Sequence, residues 1–518
     1  MLQIQNLTII QKKDDRVLVQ DLSFVLNNGE KAALIGEEGN GKSTVLRWIA
    51  KAPAIEEYAE IRGTIICDNV TGYLSQELNR EDGKFPVYLY LENACGIGSK
   101  NPKTVSGILN QLGIGEDLIW EDRPVNSLSG GERIKLQILA LLLNGCDLLL
   151  LDEPSNDLDL ETLEWLESFL NRTSASVLYV SHDETLLERT AGMLIHIESV
   201  RRKQIPRVTV ARVPYRRYMA ERERRLDHQT QMAVYEHKEF QKKKDRYLSI
   251  YQAVDHAQKA VSRSDPSGGR LLKKKMHSVQ SLGKRLEKEK ESLTRLPETE
   301  WAILPKFAET EVIKNGKTVL DLFLPELTAG EKRLSKNVRL HITGPERVCI
   351  IGKNGCGKTT LIKEIARMLL GRTDIRAGYI PQNYDDLLDL TETPVMILAP
   401  SREKDAVTLA RTYLASMKYT ASEMDHPASE LSGGQRAKIL LLKLILEKNN
   451  VLILDEPTRN FSPLSNPALR KLFASFPGCV IAVTHDRLFL KEVATRVVQL
   501  TEDGLKPVHM DTDTPVCI

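Results

Sequence analysis

The 518-residue sequence is short of aromatic rings, of long apolar runs and of cysteine. Phe, Trp and Tyr make up 5% of it, and none occurs before Phe24. The N-terminal stretch therefore offers no ring on which a base could stack. The most apolar region, Leu136 to Leu151, is broken by Gln137, Asn144, Gly145 and Asp147. A helix needs about 20 predominantly apolar residues to span a bilayer, so this run is too short and too polar. Met1 to Asp15 is mixed and then charged, unlike a secretory leader. The seven cysteines (Cys67, Cys95, Cys146, Cys349, Cys356, Cys479 and Cys517) show no paired metal spacing, which fits a reducing cytoplasm.

What is present is unevenly spread. Residues 201–300 carry 26 Lys and Arg against 13 Asp and Glu, an excess of +13 within a chain of net charge +2, leaving −11 elsewhere. One region suits a polyanion and the rest does not. In it, Leu226, Ala233, Phe240, Tyr247 and Val254 recur every seven residues, as do Leu272, Val279, Leu286 and Leu293. A heptad repeat aligns one side chain per two turns on a single helix stripe. Between the stripes, Ser262-Arg263-Ser264-Asp265-Pro266-Ser267-Gly268-Gly269 reads as a polar turn. The expectation is an antiparallel helical hairpin over 214–300 with its tip at about 262–269. Its seam is imperfect, because His237 and Lys244 occupy a core position of the first helix.

On either side lies the same set of motifs. A buried strand, Lys31 to Ile35, runs into Gly36-Glu37-Glu38-Gly39-Asn40-Gly41-Lys42-Ser43. Val348 to Ile351 runs into Gly352-Lys353-Asn354-Gly355-Cys356-Gly357-Lys358-Thr359. Each is a GxxxxGK[ST] phosphate loop opening a helix. Glycines let backbone N–H groups turn inward around phosphates, the helix N-terminus adds partial positive charge, and the Lys reaches the β- and γ-phosphates. The hydroxyls of Ser43 and Thr359 suit Mg²⁺.

The later motifs repeat in register. Gly72-Tyr73 leads to Gln76, and Gly378-Tyr379 leads to Gln382. Leu128-Ser129-Gly130-Gly131-Glu132 is matched by Leu431-Ser432-Gly433-Gly434-Gln435. The strands Leu148 to Leu151 and Val451 to Leu454 end in Asp152-Glu153-Pro154 and Asp455-Glu456-Pro457. Ser181-His182-Asp183 and Thr484-His485-Asp486 follow two further apolar strands. Both halves have 24 residues from the LSGG serine to the second carboxylate and 29 from there to the histidine. Such a repeat means two domains of one α/β fold. The boundaries expected are 1–213 and 301–518. A carboxylate at a strand end suits Mg²⁺ (Asp152, Asp455), and the next one suits proton transfer from an attacking water (Glu153, Glu456). A lone histidine at a strand end is ordinarily structural; the paired spacing makes His182 and His485 candidates for sensing a γ-phosphate.

As a set, these motifs resemble ATP-binding cassette proteins. The resemblance implies two cassettes head to tail, with ATP and Mg²⁺ between one domain's phosphate loop and the other's LSGG. One site would use Lys42, Gln76, Asp152, Glu153 and His182 with Ser432, Gly433 and Gly434. The other would use Lys358, Gln382, Asp455, Glu456 and His485 with Ser129, Gly130 and Gly131. Twin cassettes joined by a basic helical hairpin resemble the ABC-F family. That implies a cytoplasmic ATP hydrolase on the bacterial ribosome, bound from the tRNA exit side through rRNA and tRNA. Its hairpin tip would lie near the peptidyl-transferase centre and protect translation from antibiotics. A translation factor relieving stalled ribosomes is the alternative, and a transporter ATPase subunit the weaker one. With both halves of the ATP sandwich in one chain, a monomer is expected.

Three departures bear on the sites. The segment from Gln to LSGG serine is 53 residues in the first domain and 50 in the second, so no arm-sized insertion is expected. The first domain has 34 residues from Lys to Gln against 24, read as a longer turn near Ile55 to Gly63. After the carboxylates, Ser155-Asn156-Asp157-Leu158-Asp159 keeps a final acid that Thr458-Arg459-Asn460-Phe461-Ser462 lacks, so unequal hydrolysis is expected. Phe307 and Phe323 are candidate adenine rings for the second site only.

Overall fold

The computed structural model describes residues 1–508 other than 14, 53–54, 77, 80, 201–204, 261–265, 298–311 and 331. Each half is a mixed α/β domain built on a six-stranded sheet. In the first, the strands run Thr71–Leu74, Leu148–Asp152, Ser176–Val180, Lys31–Gly36, Met193–Val200 and Ile205–Ala211, the last antiparallel. In the second, the order is Ala377–Ile380, Val451–Asp455, Cys479–Val483, Arg347–Ile351, Arg496–Thr501 and Gly504–Val508, again with an antiparallel edge. The central strands are continuous apolar runs, such as Leu148–Asp152 and Val451–Asp455, with every residue buried. This is the signature of parallel strands covered on both faces. Parallel strands end on one edge. The phosphate loop, the paired carboxylates and the histidine turn therefore all emerge at that edge from three neighbouring strands.

The ten extra residues of the first domain are not a simple turn. Ile55–Tyr58 form one helical turn, and Ala59–Cys67 form a third strand, antiparallel to Leu2–Gln11, which pairs with Arg16–Leu26 on its other side. Ile61, Ile65 and Ile66 give the stretch β-branched character, and pairing satisfies an otherwise open strand edge. Among the described residues the second domain has a two-stranded hairpin here, Thr318–Ala329 with Lys332–Thr343.

Met1–Tyr215 with Glu300–Ile518 form one compact unit, and Arg216–Thr299 another. Helices Tyr215–Ala260 and Pro266–Ser292 make up the second unit almost entirely. They run antiparallel: Lys243 bonds Glu289, and the Thr294 amide donates to Glu236 at 2.7 Å. Ala233, Val279 and Leu286 are buried in the seam, and the other heptad residues are half-buried. Met276 and Gly283 supply the core positions that the single stripe did not reveal. Gly283 is a close approach, since a Cβ there would lie 2.7 Å from the Tyr247 hydroxyl. The expected tip divides. Ser262, Arg263, Ser264 and Asp265 lie outside the described residues. Pro266, Ser267, Gly268 and Gly269, read as turn, instead open the second helix. Proline is pre-organised for a helix's first residue, whose N–H has no partner in any case.

Candidate active sites at the cassette interface

The two phosphate loops share one local geometry. Gly36, Gly39 and Gly41 have φ of 151°, 71° and 83°, and Gly352, Gly355 and Gly357 have 155°, 78° and 101°. These values are the reason a glycine stands at each. Lys42 folds back on the carbonyls of Gly36 and Glu37, both at 3.0 Å, and Lys358 on those of Gly352 and Lys353 at 2.8 and 2.9 Å. Both carboxylates beyond the strands, Glu153 and Glu456, take left-handed backbone with φ of 52° and 53°. Such strain in a non-glycine residue persists only where its surroundings hold it; here each amide is bonded to the neighbouring strand, at Val180 and Val483.

The carboxylates differ in company. Asp152 accepts from Ser43 Oγ at 2.9 Å and from the Tyr73 hydroxyl at 3.1 Å. Burial pushes Asp152 above its ordinary range despite these bonds. Asp455 is buried with no well-formed hydrogen bond to either carboxylate oxygen, and burial raises it to about 6 against the pull of the nearby Thr359 hydroxyl and Lys358. His182 Nε2 lies 2.8 Å from Glu153 Oε1; burial opposes its protonation, but Glu153 outweighs that and holds it above the usual value. His485 lies 3.7 Å from Glu456, and burial with the nearby Lys358 depresses it to about 3. Burial, then Asp455, lifts Glu456 to about 8.

The cassettes meet head to tail. Glu38, in the first phosphate loop, accepts from Ser432 Oγ at 3.1 Å and from the Gly434 amide at 2.7 Å. Beside it Glu37 pairs with Lys418. In the other direction, the Asn354 amide donates to Asp159 at 3.0 Å, its side chain to the Asp157 carbonyl at 2.6 Å, and Lys353 pairs with Glu161 at 2.9 Å. Asp157 also accepts from Arg459 at 2.8 Å and from Gln382 at 3.4 Å. Ser462, where the second cassette lacks the acid, bonds only locally with Ser465 at 2.9 Å. A cavity of about 670 Å³ joins Ser129 and Gly130 of one cassette to Lys358, Thr359, Gln382, Asp455, Glu456 and His485 of the other. Gln76 is exposed and lines a separate cavity of about 520 Å³ with Gln382 and Gly433.

Sequence reasoning missed several of these groups. Tyr73 was visible only as part of a repeated Gly-Tyr. Glu38 stood inside a motif but carried no sign of reaching across, whereas Asp159 was readable as the acid its counterpart Ser462 lacks. Phe307 lies outside the described residues. Phe323 is 53% exposed and faces Arg339 at 4.7 Å. Among the described residues lining the larger cavity there is no Phe, Tyr or Trp.

The orphaned, buried oxygens of Asp455 are what a cation would satisfy. Among the described residues no cluster of three His, Cys, Asp or Glu suits a metal. A cation here would therefore be shared among hydroxyl, carboxylate and phosphate oxygens, which suits Mg²⁺. Likewise, no helix among the described residues is long and apolar enough to cross a membrane.

The ABC transporter family, the ATP-binding cassette domain, matches residues 19–156 and 335–459, together about half of the chain. ABC transporter F family member 5 of Arabidopsis thaliana is 26% identical, over 94% of this chain and 73% of its own. Ribosome protection protein VmlR of Bacillus subtilis is 28% identical, over 95% and 85%. An archaeal ribosome recycling factor, aABCE1, solved with the stalk protein aP1, superposes with a TM-score of 0.57 at 16% identity, over 98% and 94%; this likeness is one of fold. Cassettes of this family bind ATP, generally with Mg²⁺, and couple it to ATPase activity. With its motifs matched in both halves, the chain belongs to the ATP-binding cassette family, and its homologues along nearly its whole length are twin-cassette ABC-F proteins.

Proposed function

We propose that this chain is a ribosome-associated ATP hydrolase that protects translation from antibiotics bound near the peptidyl-transferase centre. The observation that carries this is the hairpin: a 46-residue and a 27-residue helix, antiparallel, with Lys and Arg exposed along both. Exposed cations on a narrow helical rod suit rRNA and tRNA phosphates, and binding should weaken with salt. The likeness to VmlR along 95% of the chain supports the same reading. The hairpin would enter from the tRNA exit side of a cytoplasmic ribosome, acting as a monomer.

In each site, ATP is held by the phosphate-loop amides and Lys42 or Lys358, with the opposite LSGG segment on its γ-phosphate. Mg²⁺ would be held by Ser43, Asp152 and Gln76, or by Thr359, Asp455 and Gln382, and supplies charge neutralisation of the phosphates. Glu153 and Glu456 accept the proton of the attacking water, and His182 and His485 orient the γ-phosphate. Hydrolysis removes the group that bridges the cassettes and lets them part.

The test is cell-free bacterial translation with purified protein and ATP, titrated with a lincosamide, a pleuromutilin or a streptogramin A. Restored synthesis supports protection and identifies the drug pocket. Absence of rescue, with stimulated drug-free synthesis, favours the translation-factor reading. A variant with Ser262–Gly269 replaced by a short Gly-Ser turn should lose protection and keep ATP hydrolysis.

A further inference from the structure

The cassette interface carries a charged network outside the phosphate loops, the LSGG segments and the strand-end carboxylates; one member, Glu184, lines the larger cavity. Glu167, Glu184 and Arg189 lie 14, 31 and 36 residues after Glu153; Arg470, Arg487 and Glu492 lie at the same distances after Glu456. All three equivalent positions carry opposite charges in the two cassettes.

The contacts follow this inversion. Arg487 donates to Glu167 at 2.5 Å across the interface and lies 3.3 Å from Asp183; Glu167 also accepts from Arg189 of its own cassette at 2.7 Å. In the mirror arrangement, Arg470 donates to Glu184 at 2.5 Å across the interface and to Glu492 of its own cassette at 2.8 Å. Glu167, Glu184, Arg470 and Arg487 are 4 to 10% exposed. Arg487 Nε and Nη1 are buried without a partner. A buried ionic network left incomplete contributes little net stability, yet breaking it is costly. Its value lies in which surfaces it lets meet.

In this geometry, two copies of the first cassette would press Glu184 against Glu167. Two copies of the second would press Arg487 against Arg470. Only unlike cassettes neutralise both contacts. We propose that the inverted set reserves each cassette face for the unlike cassette and bars a like cassette of a second copy; the linker makes the unlike cassette of the same chain the nearer partner.

The test uses the full chain, above pH 7 where Glu184 is ionised, and does not depend on ATP hydrolysis. E167R/E184R/R189E inverts the first cassette, R470E/R487E/E492R inverts the second, and the six-fold variant combines them. Hydrogen exchange is read at the Gly434 and Asn354 amides, which are bonded across the interface. Each triple variant should speed both by at least about tenfold, and the six-fold variant should return them close to the parent rate. By native mass, each triple variant should stay a single chain, and mixing the two should give a two-chain species. Failure of the six-fold variant to restore slow exchange would overturn the proposal, as would a two-chain species from one triple variant alone or none on mixing. Should a triple variant not fold, E184Q/R487Q removes the cross-contacts without setting like charges together. With cassette circular dichroism intact, it should still speed exchange, and unchanged rates would count against the proposal.

Discussion

The two candidate sites are built from equivalent residues and differ in what crosses the interface. At the first, a glutamate of the phosphate loop, Glu38, takes two donors of the opposite LSGG helix. At the second, the equivalent residue is Asn354, which is itself gripped by Asp157 and Asp159 of the opposite cassette. The first site thus sets an internal carboxylate on the hydroxyl and amide donors for which a γ-phosphate would compete. The second leaves its cavity open and its loop braced. Repeated motifs therefore specify the chemistry of a site, while the residues between them decide whether it is equally available.

The largest expected effect tests that difference directly. Glu456→Gln should lower steady-state ATP turnover by about 100-fold, and Glu153→Gln by less than about 10-fold, since general-base catalysis contributes on the order of 10²–10⁴. Equal losses in a phosphate-release assay would remove the asymmetry.

Next is pH. Burial lifts Glu184, on the lining of the larger cavity, to about 7, with Arg470 pulling against it and Asp486 and Glu492 adding to the rise; its equivalent, Arg487, is held above the ordinary arginine value and does not titrate in this range. A raised carboxyl holds a proton in the folded state that the unfolded chain has released. Its stabilisation is present below about pH 4.5 and lost as pH rises through about 7. The Glu184→Gln variant should lack this step, worth on the order of 2–3 kcal/mol, in urea unfolding across that window.

Glu38→Asn makes the first phosphate loop like the second at this position. It should tighten ATP at the first site by roughly tenfold, as expected when a charged competing hydrogen bond is removed. Calorimetric titration of the Glu456→Gln background, with and without Glu38→Asn, would read it, and unchanged affinity would mean that Glu38 does not compete. Smallest is the brace. Asp159 also caps the helix Leu160–Arg172 by accepting from the Thr162 amide. Asp159→Ala should lower the unfolding free energy by about 1 kcal/mol, and Ser462→Ala by less, in thermal melts.

Much of this was legible in the chain. Strand runs such as Leu148 to Leu151 and the glycine spacing of the phosphate loops are short-range signals, and duplication at fixed intervals removed their ambiguity. The missing acid at Ser462 was likewise readable and marks a real difference in contacts across the interface. Other features were hidden for a physical reason. Glu167, Arg470, Glu184 and Arg487 look like ordinary surface charges on amphipathic helices; only the apposition of the two cassettes buries them. The strand Ala59–Cys67 had apolar alternation interrupted by Gly63, and its partner residues lie 48 to 65 positions away. Met276 and Gly283 escaped because a seven-residue stripe reports one core position and says nothing of a position filled by a glycine.

That glycine has a mechanical consequence. With Tyr247 lodged against Gly283, neither helix of the pair can slide along the other without first lifting a ring out of its notch. The ion pair of Lys243 with Glu289 and the bond from Thr294 to Glu236 fasten the same two rods further along. The hairpin therefore behaves as a keyed shaft: a push or turn delivered at one end arrives at the other as motion of the whole piece, with little lost to slip between its halves.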